Sequence, residues 1–159
     1  MSTIKTVNPA TGRTEKEYPV MNESQIEAIF EKAHQSFQSW RKTPFSKRAA
    51  VVHKAADLLR ARKDELARLC SIEMGKLHRE AVAEVELAAA IFDYYADNGE
   101  KLLADRPLEA AHGEAFVSYE PIGVLLSVQP WNFPFYQIVR SAAPNIMAGN
   151  TVVLKHASN

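Results

Sequence analysis

Disulfide chemistry is absent from this sequence, because it has one cysteine, Cys70. A lone thiol closes no internal bridge, which points to a reducing, cytoplasmic setting. No apolar run approaches the ~18 residues that a membrane helix needs, and Met1 to Lys5 lacks the apolar core of a secretory signal. An excess of one charge is lacking too: 19 Lys and Arg balance 19 Asp and Glu. A neutral chain has no electrostatic footprint for nucleic acid. The five histidines do not fall at metal-ligand spacing, and no cysteine cluster supports zinc. Neither a G-x-G-x-x-G nor a P-loop lysine motif occurs, so a dinucleotide site here has to be a variant one.

What is present has the composition of an ordinary globular domain, with 47% hydrophobic and 24% charged residues in 159. The charge is unevenly placed. The first 120 residues carry 17 Lys and Arg and all 19 Asp and Glu; the remainder carries only Arg140 and Lys155, along with four of the eight prolines. A nearly uncharged, proline-punctuated segment is expected to be buried on both faces or to line a site. The chain therefore changes character near Pro121.

Local patterns divide the first part. Asn8-Pro9-Ala10-Thr11-Gly12 is turn chemistry inside a hairpin over residues 4–20. Asn22 and Gln25 predict a capping box, so Asn22-Glu23-Ser24 reads as a helix start rather than a glycosylation site. Ile26, Ile29, Phe30, Ala33, Phe37 and Trp40 then recur as one face of an amphipathic helix. Thr43-Pro44 restarts a helix that is expected to run to Gly75. A third spans about His78 to Asn98, with Ala81, Val85, Ala88, Phe92 and Tyr95 inward and Gly99 as its stop. Residues 106–120 read as a second hairpin around His112-Gly113. Gly123 to Val128 predicts a fully buried parallel strand, residues 134–148 a helix kinked or broken at Pro144, and Thr151 to Leu154 a second buried strand. Strand, helix and strand begin a βαβ unit. With one crossover and an apolar edge left open, the α/β chain as given reads as incomplete.

Two places invite chemistry. Pro130-Trp131-Asn132-Phe133-Pro134 follows the first predicted strand, and ligands of open α/β sheets bind beyond the carboxyl ends of strands. The prolines stiffen the loop, and Asn132 offers a neutral amide donor for a developing oxyanion. The bland reading, a proline-rich turn with aromatic packing, has about equal weight from the pentapeptide alone. Lys155 ends the second strand, where a point charge reaches a phosphate or ribose, although an isolated strand-end lysine is more often merely solvated. Cys70 sits in a helical stripe and reads as a structural thiol.

Asn8-Pro9-Ala10-Thr11-Gly12, Glu120-Pro121-Ile122-Gly123-Val124, Pro130-Trp131-Asn132-Phe133-Pro134 and Ala148 to Lys155 occur in the order found in the aldehyde dehydrogenase superfamily. The chain resembles the N-terminal part of that family over essentially its whole length. The resemblance implies a helical layer, a hairpin arm and the start of a parallel Rossmann-like sheet. Residues 1–105 would be the N-terminal hairpin and helices packing on the cofactor domain, 106–120 the arm used in oligomer assembly, and 121–159 the truncated start of the dinucleotide-binding domain. It implies oxidation of an aldehyde to an acid with NADP or NAD, in a cytoplasmic homo-oligomer, dimer or tetramer, without metal, membrane or nucleic acid. Asn132 matches the side-chain half of the oxyanion hole. Val128, Gln129, Pro130, Trp131 and Asn132 match the loop along the cofactor, and Lys155, His156, Ala157 and Ser158 the segment at its ribose.

Ser158 stands where NAD-preferring members often carry a glutamate, which implies acceptance of a 2′-phosphate. His156 replaces a common proline. Arg140 is the one charge on its apolar helix and is expected to be buried. It matches an arginine that holds the distal carboxylate of the substrate in the succinate-semialdehyde branch; a structural ion pair with a carboxylate downstream of these residues is the competing reading. The family's catalytic cysteine and glutamate lie beyond Asn159, so the chain alone is expected not to turn over. Two other classes stay open: a non-catalytic subunit-docking chain, and an acylating or reductive relative.

Overall fold

The computed structural model describes residues 3–157. Strands β1 (Thr3–Val7) and β2 (Thr14–Pro19) form an antiparallel hairpin. Its turn closes as Asn8 chemistry dictates: the Asn8 carbonyl accepts from the Gly12 N–H at 2.8 Å and its side chain from the Ala10 N–H at 3.0 Å. Helix α1 (Glu23–Trp40) starts at Asn22 with the reciprocal capping box formed, and the Gln25 side chain returns to the Asn22 N–H at 2.9 Å.

The stretch expected as one helix to Gly75 is two, α2 (Phe45–Ala61) and α3 (Lys63–Met74). Arg62 leaves helical geometry at φ −106°, ψ 16°, and its guanidinium grips Glu65 of the new first turn through two bonds of 2.9 and 2.7 Å. That i, i+3 pair stabilises a restart which apolar periodicity does not reveal. Gly75 does end α3, at φ +73°. Pro9 of the first hairpin packs so close that a Cβ on Gly75 would lie 3.0 Å from its Cγ.

Helix α4 (His78–Leu102) runs straight through Gly99, which is no stop. Gly99 is instead where α5 (Pro134–Ala148) crosses, since a Cβ there would meet Met147 Cε at 3.0 Å and Met147 Cβ at 3.2 Å. Around that crossing, Val52 of α2, Ala96 of α4 and Met147 of α5 form one buried cluster, and Ala88, Val139 and Ala143 another. Ala67, Cys70 and Ala81 make a third, against which Phe135 packs. Strands β3 (Arg106–Leu108) and β4 (Ala115–Val117) pair antiparallel as a short hairpin. Strands β5 (Val124–Val128) and β6 (Thr151–Lys155) pair in parallel with α5 between them, the expected strand-helix-strand unit.

The two parallel strands are not fully buried within this chain. Leu126 is 57% and Val128 64% exposed, and Leu154 also faces out. In a two-stranded sheet, alternate side chains beyond the reach of α1 have no layer to pack on. Pro144 does not break α5, which continues across it, although it removes one helical N–H. Side chains at both ends of the helix, described below, offset that loss. Among the described residues no helix is long and apolar enough to cross a membrane.

On the outer face of α2 and α4, His53 Nδ1 lies 2.8 Å from Asp93 Oδ1 and its Nε2 3.0 Å from Asp97 Oδ1. Arg60 pairs with the other Asp93 oxygen. The hydrogen bond to Asp93 raises the His53 pKa above its ordinary value. A raised histidine stabilises the folded state fully below its unfolded pKa of about 6.5, and that contribution is lost as pH rises through the folded value. The full-length protein should thus lose urea resistance as pH rises above about 6.5, and a His53→Gln variant should lose less over the same rise. Equal losses in the two proteins would rule this contribution out.

Candidate active site

The parallel register sets Val128 opposite Lys155, and the Gln129 N–H continues the ladder onto the Lys155 carbonyl at 3.1 Å. The carboxyl ends of β5 and β6 therefore open at one edge. The loop Gln129-Pro130-Trp131-Asn132-Phe133 leaves from one strand end, and His156 and Ala157 from the other. Pro130, Trp131, Asn132, Lys155 and His156 are all exposed there, while Gln129 and Ala157 are half-buried. Ser158 lies outside the described residues. Gln129 is aimed by a short polar chain: its Nε2 donates to Ser127 Oγ at 2.6 Å, and Ser127 Oγ meets Ser141 Oγ of α5 at 3.0 Å.

Beneath the loop are two charged residues that motif reading did not single out. The connection after Gly75 brings in Lys76, and the inward face of α4 brings in Glu84. Their side chains are 7% and 1% exposed and form an ion pair. Lys76 Nζ also donates to the Asn132 carbonyl at 3.1 Å and stands 3.6 Å from the centre of the Phe133 ring. The second oxygen of Glu84 accepts from the N–H groups of Phe135 and Tyr136, at 2.8 and 3.1 Å. A carboxylate at that point satisfies two of the orphan donors of α5 and complements its dipole. The available signal was Glu84 itself, a lone acid between Ala81 and Val85 on an otherwise apolar stripe, which demands a buried cation.

The other end of α5 is held in the opposite sense. Trp40 Nε1 donates to the Ile146 carbonyl at 3.0 Å, and Arg48 Nη1 to the Met147 carbonyl at 2.6 Å. Arg48 is buried, over the Phe45 ring, and also donates to the Thr43 carbonyl at 2.8 Å. Gly149 then takes φ +96° against the Arg48 guanidinium. The buried Asn150 accepts from the Ile122 and Gly123 N–H groups at 2.7 and 2.9 Å, which joins the exit of α5 to the entry of β5.

Arg140 differs from expectation. It is exposed rather than buried, and its guanidinium lies 5.8 Å from the centre of the Tyr136 ring. Tyr136 in turn meets Phe133 edge-on at 6.0 Å, so Arg140 joins the same aromatic row that ends on Lys76. No carboxylate pairs with Arg140 among the described residues. The exposure has a simple cause: its face of α5 turns away from α4, which buries Val139, Ala142 and Ala143 instead. Cys70 is a structural thiol. Burial, reinforced by the nearby Glu84 carboxylate, pushes its pKa up to about 11, so it is not a thiolate at neutral pH.

Comparison with known proteins yields a consistent set. A model described as the aldehyde dehydrogenase family matches residues 1–159. The protein named succinate-semialdehyde dehydrogenase (NADP(+)) from Deinococcus radiodurans is 49% identical over 152 residues, 96% of this chain and 32% of its own. A probable succinate-semialdehyde dehydrogenase (NADP(+)) from Synechocystis sp. is 46% identical, covering 98% of this chain and 34% of the relative. Among solved structures, succinic semialdehyde dehydrogenase from Streptococcus pyogenes in complex with NADP+ superposes with a TM-score of 0.94 at 41% identity, over 98% of this chain and 34% of that one. The chain spans about a third of the length of the curated relatives it matches.

Proposed function

The chain belongs to the aldehyde dehydrogenase family, and on that premise we propose that it contributes the oxyanion donor and part of the cofactor site to an NADP-accepting oxidation of succinate semialdehyde to its acid. The observation that carries the reading is the junction of the two strand ends. There a proline-stiffened loop bearing Asn132 stands beside Lys155 and His156, in a segment with no Asp or Glu after Glu120.

That donor set fits a phosphate-bearing dinucleotide. Val128, Gln129, Pro130 and Trp131 would hold it along one strand end, and Lys155, His156, Ala157 and Ser158 at the ribose. A lysine attracts a 2′-phosphate, which a glutamate in place of Ser158 would repel. The nicotinamide, when bound, supplies a hydride acceptor. Asn132 donates from its side-chain amide to the aldehyde oxygen as that oxygen takes on negative charge. Such a donor acts because it is already aimed and costs no reorganisation at the moment of reaction. Arg140, exposed and without a carboxylate partner among the described residues, receives the distal carboxylate of the substrate. The β3–β4 hairpin, with Leu108, Phe116 and Tyr119 outward, serves assembly between copies.

The test is the full-length enzyme with succinate semialdehyde and each cofactor in turn. kcat/KM should favour NADP or accept both; a strong NAD preference overturns the cofactor assignment. Asn132→Ala should lower kcat by about 10²- to 10³-fold with little change in KM. Arg140→Leu should impair carboxylated aldehydes selectively; an equal loss for plain aldehydes overturns its substrate role.

A further inference from the structure

We propose that Lys76 and Glu84 are positioning residues that set the aim of the Asn132 amide, a role that rests on the reading of Asn132 above. The Asn132 side chain forms no hydrogen bond of its own among the described residues; only its carbonyl is engaged. The backbone therefore sets where its Cα–Cβ bond starts and which rotamers can reach the strand ends. That backbone is gripped on both sides of the loop-to-helix junction. Lys76 holds the carbonyl of Asn132, and Glu84 holds the N–H groups of Phe135 and Tyr136.

The two grips are one unit. One Glu84 oxygen takes the two amides and the other takes Lys76, so the ammonium that fixes Asn132 is itself fixed by the carboxylate that fixes α5. Nearly complete burial removes the competition with water that makes exposed pairs slack. The Phe133 ring over Lys76 closes the remaining side. If the pair served only to staple helices together, its bonds would run between α3 and α4. Instead Lys76 and Glu84 each spend their remaining bonds on residues 132–136. Without Lys76 the peptide after Asn132 is free to rotate, and the amide is carried away from the place where charge develops. Misplacement of about 1 Å at such a donor costs up to about 10²-fold in rate.

The experiment is a kinetic cycle in the full-length enzyme. Lys76→Met and Glu84→Gln are introduced together, because removing one partner strands a buried charge and risks unfolding. The amide oxygen at position 84 can still accept from Phe135 and Tyr136 and keep α5 capped, and a cooperative melt with an unchanged far-UV spectrum verifies the fold. The expected result is a fall in kcat of roughly 10- to 100-fold, with KM for succinate semialdehyde changed less than about twofold. In an Asn132→Ala background the same two substitutions should lower kcat no further, since the aim of an absent amide has no consequence. A full second loss in that background, or undiminished kcat with Asn132 intact, overturns the proposal while leaving the oxyanion reading standing. An Asn132→Ala enzyme with undiminished kcat overturns both.

Discussion

An ammonium and a carboxylate that water hardly reaches lie side by side beneath the β5–α5 loop, and the geometry of the strand ends depends on them. Taking two such charges out of water costs several kcal/mol each. The structure offsets that cost with four strong bonds: the pair itself, the Asn132 carbonyl, and two N–H groups of α5. Bonds to charged groups contribute about 1.5–3 kcal/mol each, roughly twice a neutral bond, so the loop is held far more firmly than its own turn chemistry would hold it.

The far end of α5 obeys the same logic with the sign reversed. Glu84 sits at the positive end of the helix and Arg48 at the negative end, each supplied by the helical layer rather than by α5 itself. A helix with no acidic or basic residue in its own end turns, and with a proline inside, is in this way held at both ends from outside. Its fixed length then sets how far Asn132 stands from Gly149 and hence how β5 and β6 meet.

Signals confined to a few neighbouring residues were legible in advance. The Asn22–Gln25 box, the Asn8 turn, the His112-Gly113 hairpin and the parallel strand pair all follow from local chemistry. What failed depended on residues far away in sequence. Gly99 looks like a helix stop until Met147 is known to cross it. Arg62 is the exception: its pair with Glu65 is local, but apolar periodicity says nothing of it. The apolar run at Leu126 and Val128 reads as buried, yet burial requires a covering layer that periodicity cannot supply. Arg140 was expected inside because its helix is apolar, but one face of α5 is open. At the site, Asn132 and Lys155 were legible as strand-end residues, whereas Lys76 and Glu84 were not. Their meaning lies in a contact with a loop more than fifty residues away, and only the isolated acid on an apolar stripe hinted at it.

The bonds from Trp40 and Arg48 to the last turn of α5 span 106 and 99 residues. Closing segments that long is slow compared with docking α2, α3 and α4, which follow one another along the chain. In a chain emerging from the ribosome, Trp40, Arg48, Lys76 and Glu84 and the helices around them are all made before the first residue of α5 appears. The helical layer therefore acts as a preassembled jig. The strand ends take their working shape only when residues 121–157 settle into it, so order of synthesis matches order of dependence.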